Sequence, residues 1–178
     1  MSVRGSNEWG SEVYGEPCRQ CGFSWRGDPA EVRAAVAGLP ERLGAALEAA
    51  TGGERHPTLA WSVTAYVAHV GDNLRIWAEH LAGVARGQPG PVAGYDENAL
   101  AAARAYGELS LPGVLWSLER SVRDWLDAID QAPTDLVVDH AERGDLTLDD
   151  VVRTTGHDAL HHEWDIERSL TAARSARC

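Results

Sequence analysis

A run of about 18 consecutive apolar residues, the least that spans a bilayer as a helix, is absent from this chain. No membrane span is therefore expected. The N-terminus carries no apolar signal-peptide core either, and a cytoplasmic location is the default expectation. Cysteine is scarce: three residues, an odd number, do not make the disulfide framework of a secreted domain. Positive charge is scarce too, with 16 Lys and Arg against 27 Asp and Glu. The net charge of −11 argues against the clustered cationic surface that displaces counterions from duplex nucleic acid. Phenylalanine occurs once but tryptophan seven times, and each Trp brings large buried area and an N–H that needs a partner. Alternating strand patterns of useful length, internal repeats and low-complexity segments are all missing.

What remains is helical. The 178 residues, 44% hydrophobic and 24% charged, suit one globular domain with a sizeable core. Residues 1–27 read as an irregular arm rich in Gly, Ser and Pro. Asp28-Pro29 has the form of a cap followed by an N1 proline. Val32, Val36, Leu39, Leu43 and Leu47 then recur at helical spacing to about residue 50. Pro40 predicts a kink or restart inside that stretch. A second helix is expected from Thr58 to about Arg86, and a short one from Asp96 to about Tyr106. Ser110-Leu111-Pro112 opens another, running to about residue 130. Residues 131–146 read as a polar connector. Thr147-Leu148-Asp149-Asp150 resembles a capping box and starts the last helix, to about Ala173, with a fraying tail Arg174–Cys178. The fold class expected over 28–173 is all-α, an antiparallel-type four-helix bundle.

Two stretches carry chemistry. In the arm, Cys18-Arg19-Gln20-Cys21-Gly22 has the form of half a zinc knuckle, but no second Cys-x-x-Cys completes it and Cys178 stands alone. A packed reduced pair, part of a metal site and a redox or reactive pair are all open readings. In the last helix, Gly156 to Ile166 holds three histidines and three carboxylates in eleven residues. Residues four apart share a helix face, so His157 pairs with His161, and Asp158 with His162. At about 100° per residue, His162 falls within about 40° of the centre of the apolar sector and Asp158 about 80° from it. His157 falls almost opposite, and His161 well away. Asp158 and His162 therefore point inward, where an unpaired carboxylate would be costly and a cation would satisfy both. His69, at the edge of the second helix's stripe, is the candidate third ligand, with Asp72 and Asn73 placed to orient it. A buried Asp–His pair without metal fits the same spacing.

The segment Trp61-Ser62-Val63-Thr64-Ala65-Tyr66-Val67-Ala68-His69 resembles the Trp-Ser/Thr-Val-x-x-x-x-x-His segment of the DinB-like superfamily, carried clearly by its mycothiol-dependent maleylpyruvate isomerase branch. That branch has Glu-x-x-x-His-x-x-Asp-Leu in a later helix, and Asp158 to Ile166 matches it with Asp for Glu and Ile for Leu. Other members have His-x-x-x-His there, again aligning the second His with His162. The resemblance covers roughly residues 28–172. It implies a four-helix bundle holding a divalent metal, usually zinc or nickel, through His69, Asp158 and His162, with His157 or His161 as the alternative to the shorter Asp158. It also implies thiol S-transfer with mycothiol or bacillithiol, or thiol-assisted isomerisation, on a small electrophile.

The function expected first is therefore a metal-dependent thiol transferase or isomerase acting on a small molecule, with no nucleic-acid or membrane partner and a possible homodimer. No catalytic residue is assigned, although Asp165 and Asn73 are candidates to orient ligands or relay protons. The alternative is a non-catalytic, metal-free binding or stress-response bundle. A hydrolase with a zincin-like His157-Asp158-Ala159-Leu160-His161 ranks below both, because zincins align peptides on a strand.

Overall fold

The computed structural model describes residues 10–176. The expectations for residues 1–9, and for Cys178 and the end of the tail, lie outside the described residues.

The arm carries one helical turn, α1 (Ser11–Tyr14), and then turns through Cys18–Cys21. Asp28 caps α2 (Pro29–Ala37), its carboxylate accepting from the Ala30 N–H at 2.9 Å. The helix restarts as α3 (Leu39–Ala46), with Pro40 in the first turn where its missing N–H costs nothing. The proline thus breaks the helix outright. The next helix, α4 (Val63–Ala85), begins five residues later than the sequence suggests, because Ser62 takes the cap and accepts from Ala65 N–H. Residues 58–61 are not helical. Asp96 caps α5 (Glu97–Ala103), and Ser110 caps α6 (Leu111–Gln131).

The connector before the last helix is not irregular throughout. It holds a two-stranded antiparallel hairpin, β1 (Val137–His140) with β2 (Gly144–Thr147). Each strand has four residues and so shows only two turns of alternation, with Val138, His140, Gly144 and Leu146 inward. That is too little periodicity to read from sequence. Thr147 and Asp150 then form the reciprocal capping box that opens α7 (Leu148–Ser175).

The broken α2–α3 unit, α4, α6 and α7 make the four-helix bundle, α4 lying against α6 and α7, and α2 against α7 and α6. The core runs between them through Val36, Leu43, Val67, Leu74, Leu118, Trp125, Val151 and Ile166, all under 2% exposed. Gly156 lets α7 approach α2 closely: a Cβ there would stand 2.1 Å from a Val32 methyl. This crossing brings the histidine-rich segment of α7 beneath the arm. Among the described residues, no helix is long and apolar enough to cross a membrane.

Candidate metal centre

His69, on α4, is 1% exposed, and neither ring nitrogen has a hydrogen-bond partner. A buried imidazole with both nitrogens unmet is costly and calls for a partner. The groups that face it are Asp158 and His162, one turn apart on α7. Asp158 Oδ1 lies 3.6 Å from His69 Nε2 and 3.7 Å from His162 Nε2. These separations exceed hydrogen-bond length and suit atoms sharing one ion. One ligand atom from each of the three residues falls within 4.8 Å of the others. The side chains of Asp158 and His162 remain 28% and 19% exposed, so the cluster opens on one side. The shorter Asp158 side chain reaches both imidazoles. Two imidazoles and a carboxylate suit zinc or nickel, and three protein ligands leave a position open.

Surrounding groups fix the trio. Tyr66 and His69 pack on the His162 ring with centroids 5.0 and 4.9 Å away, and Trp61 packs on His69 at 5.0 Å. Asp165 accepts from His162 Nδ1 at 3.1 Å, which turns Nε2 toward Asp158. Asn73 donates to Asp158 Oδ2 at 2.5 Å and accepts from the Tyr95 hydroxyl at 3.3 Å. Burial, with Asp158 next, pushes the Tyr95 phenol well above its ordinary range, so it stays a donor.

The electrostatics favour a positive charge at this point. Burial alone would raise the Asp158 carboxyl, but His69, His162 and the Asn73 amide hold it well below the usual carboxylate range. Burial pushes His69 down, yet the Asp158 carboxylate outweighs this and holds its pKa above the ordinary value. Asn73→Ala should leave the carboxylate loose and lower metal affinity by about 10–100-fold, measured by competition with a chromophoric chelator. Unchanged affinity would mean Asn73 does not orient Asp158.

Asp72 does not serve as a second orienting group. Its carboxylate is taken up elsewhere: it accepts from the Tyr106 hydroxyl at 2.6 Å, with the Arg104 and Arg75 guanidinia beside it. One residue along a helix turns the side chain by about 100°, which separates its role from that of Asn73.

His157 and His161 face away from this cluster, as the helical wheel places them, but not toward solvent. His157 is 5% exposed and lies under the arm, with the rings of Trp25 and Tyr14 at 4.4 and 4.8 Å. The zincin-like reading fails on this geometry, since Asp158 sits with His69 rather than with the His157–His161 pair.

A cavity of about 320 Å³ opens beside His69, Asn73 and Asp158. Its other walls include Tyr14 and Trp25 from the arm, and Tyr95 and Arg143 from the loop and hairpin. No motif singled out these wall residues, because they converge from three separate segments. His80 and His140 also line it, both packed on Trp77, His80 edge-on and His140 stacked. Burial pushes both imidazoles down; Arg143 adds to this at His140, while Glu142 and Asp139 oppose it, as Glu79 does at His80. Their native pKa values therefore lie below those in the unfolded chain, which binds more protons as acidity rises. Stability from this source is present above about pH 6.5 and is lost as pH falls below it. Urea unfolding at about pH 7.5 and about pH 5 should show the drop, smaller in His140→Gln. A flat profile would mean these rings are solvated.

The comparisons agree with this architecture. The profile of the DinB superfamily matches residues 45–165. No curated protein matches the chain. Among solved structures, YfiT from Bacillus subtilis, described as a probable metal-dependent hydrolase with an unusual four-helix bundle topology, is similar with a TM-score of 0.66. It is 15% identical, and the match covers 84% of this chain and 87% of that one, a likeness of fold. With more than half of its length matched by the family profile, and with the bundle in place, the chain belongs to the DinB superfamily.

Proposed function

We propose that this protein is a divalent-metal-dependent enzyme that joins a low-molecular-weight thiol, of the mycothiol or bacillithiol kind, to a small electrophile, or isomerises that electrophile with the thiol's help. The observation that carries the reading is His69: buried, with neither nitrogen hydrogen-bonded, and converging with Asp158 and His162 on the wall of a cavity. An ion held by those three side chains would supply Lewis acidity, lowering the pKa of a thiol or water at its open position. Asn73 and Asp165 hold two of the ligands in register. The cavity suits a small molecule in size. Arg143, a cation on its wall, would draw an anionic group of the substrate toward the cavity.

Protein purified without a histidine tag and reloaded with zinc or nickel would be incubated with thiol and electrophile. Metal-dependent loss of thiol, or thiol-requiring isomerisation of the electrophile with the thiol returned, absent in His162→Ala, is the expected result. A second reading, hydrolysis, draws on the description of YfiT, and would show as metal-dependent product release with no thiol required. Neither activity and no bound metal would favour the non-catalytic bundle.

A further inference from the structure

We propose that Cys18, Cys21, His157 and His161 form a second, structural zinc site that fastens the N-terminal arm to α7. One ligand atom from each of the four lies within 4.8 Å of every other. In a tetrahedral Cys2His2 site, ligand atoms stand about 3.3–3.8 Å apart, given bonds of about 2.0–2.3 Å. Cys18 Sγ and His161 Nδ1 are already at 3.8 Å. Cys-x-x-Cys from a turn with His-x-x-x-His from a helix is a ligand spacing typical of closed structural zinc sites. The two ligands that the arm lacks are supplied by α7, from the face that the bundle core does not use.

The surroundings are those of a built site. Cys18 is 2% exposed and the His161 side chain 12%. His157 Nε2 is buried with no hydrogen-bond partner. The turn is closed by Cys18 N–H donating to Phe23 O at 2.8 Å and Gly22 N–H donating to Cys18 O at 2.9 Å. Gly22 has φ +77°, a conformation that a side chain would resist. Phe23, Trp25 and Tyr14 ring His157 within 5.3 Å and shut out water. The second nitrogen of His161, Nε2, faces Asp165 Oδ2 at 3.9 Å. The same carboxylate oxygen orients His162. One aspartate thus stands behind a histidine of each metal cluster.

The redox reading of the pair fits poorly. A reactive Cys-x-x-Cys opens a helix, whose N-terminus lowers the pKa of one thiol, whereas Cys18 and Cys21 sit in a turn at which no helix opens. Two thiolates and two neutral imidazoles around a divalent ion make a neutral, closed unit that can be buried. The arm also brings Tyr14 and Trp25 to the cavity over His69. The zinc would therefore set one wall of the substrate site without touching substrate. The family match begins at residue 45, so both histidines lie within it and both cysteines outside it.

The test uses the reduced, tag-free full chain, stripped of metal and titrated with cobalt(II) alone. Wild type and His162→Ala should both develop thiolate-to-cobalt charge-transfer absorption, with the strong visible bands of a tetrahedral ion. Cys21→Ser and His161→Ala should each lose it. Zinc should slow alkylation of both thiols in wild type by at least about tenfold, as loss of free thiolate requires. The wild-type measurements decide even where a variant misfolds. Cobalt uptake without a thiolate band, no uptake at all, or alkylation unaffected by zinc would each overturn the proposal. A thiolate band with no further ion lost in His162→Ala would sustain the arm site and sink the bundle site.

Discussion

Replacing His69 by leucine is expected to separate metal binding from folding. The imidazole is buried with neither nitrogen hydrogen-bonded, so it contributes to the metal-free fold by packing and by its charge interaction with Asp158, 3.6 Å away. Leucine keeps most of the volume and removes two unsatisfied polar atoms, and Asp158, which loses one charge partner, keeps His162 and Asn73. The metal-free variant should therefore melt within a few degrees of metal-free wild type. With metal the two should part. An ion bound only by the native state stabilises by about 4 kcal/mol at a free concentration about 1,000-fold above its dissociation constant. For a domain of this size that is a rise of roughly 8–16 °C in melting temperature. The variant should forgo that increment from the bundle site, and thiol-dependent turnover should fall by more than the roughly 100-fold expected for loss of an orienting partner. Any gain from the arm site is common to both proteins. An equal metal-induced rise in the variant would show that His69 is not a ligand.

Asp72 gives the opposite pattern. Its carboxylate is 4% exposed and ties α4 to the segment after α5, through the Tyr106 hydroxyl at 2.6 Å and the Arg104 guanidinium. Asp72→Ala strands a buried hydroxyl and removes a charge-assisted hydrogen bond. The Arg104 side chain is 39% exposed, so solvent recovers much of its interaction. A loss of about 2–3 kcal/mol follows, a drop of roughly 4–12 °C, with metal stoichiometry unchanged. Loss of metal with little change in stability would return Asp72 to the role of orienting His69.

These two neighbours on α4 show where the sequence was legible and where it was not. The stripe of α4 and the placement of His69 follow from periodicity, as does the inward face of α7 with His162. Caps at Asp28, Ser110 and Thr147 marked their helix starts because a side chain there satisfies a specific backbone N–H. The helix α4 starts at Val63 rather than Thr58 because the Ser62 hydroxyl caps it, accepting from the Ala65 N–H. The hairpin was missed because four-residue strands carry too little alternation. The wheel put His157 and His161 outside the bundle core, and that is where they are. No local pattern could reveal that the arm, about 140 residues earlier in the chain, folds over them. The cavity is likewise a product of chain crossings, drawing Tyr14, Tyr95 and Arg143 from distant segments.

A metal held in the bundle by His69, Asp158 and His162 is open to one measurement: metal content by inductively coupled plasma mass spectrometry, on tag-free wild type, His162→Ala and Cys18→Ala/Cys21→Ala. Wild type should carry two ions per chain, one lost in His162→Ala and the other in the cysteine variant. Metal content unchanged by His162→Ala, or no metal in wild type after zinc or nickel is added back, would contradict the bundle site.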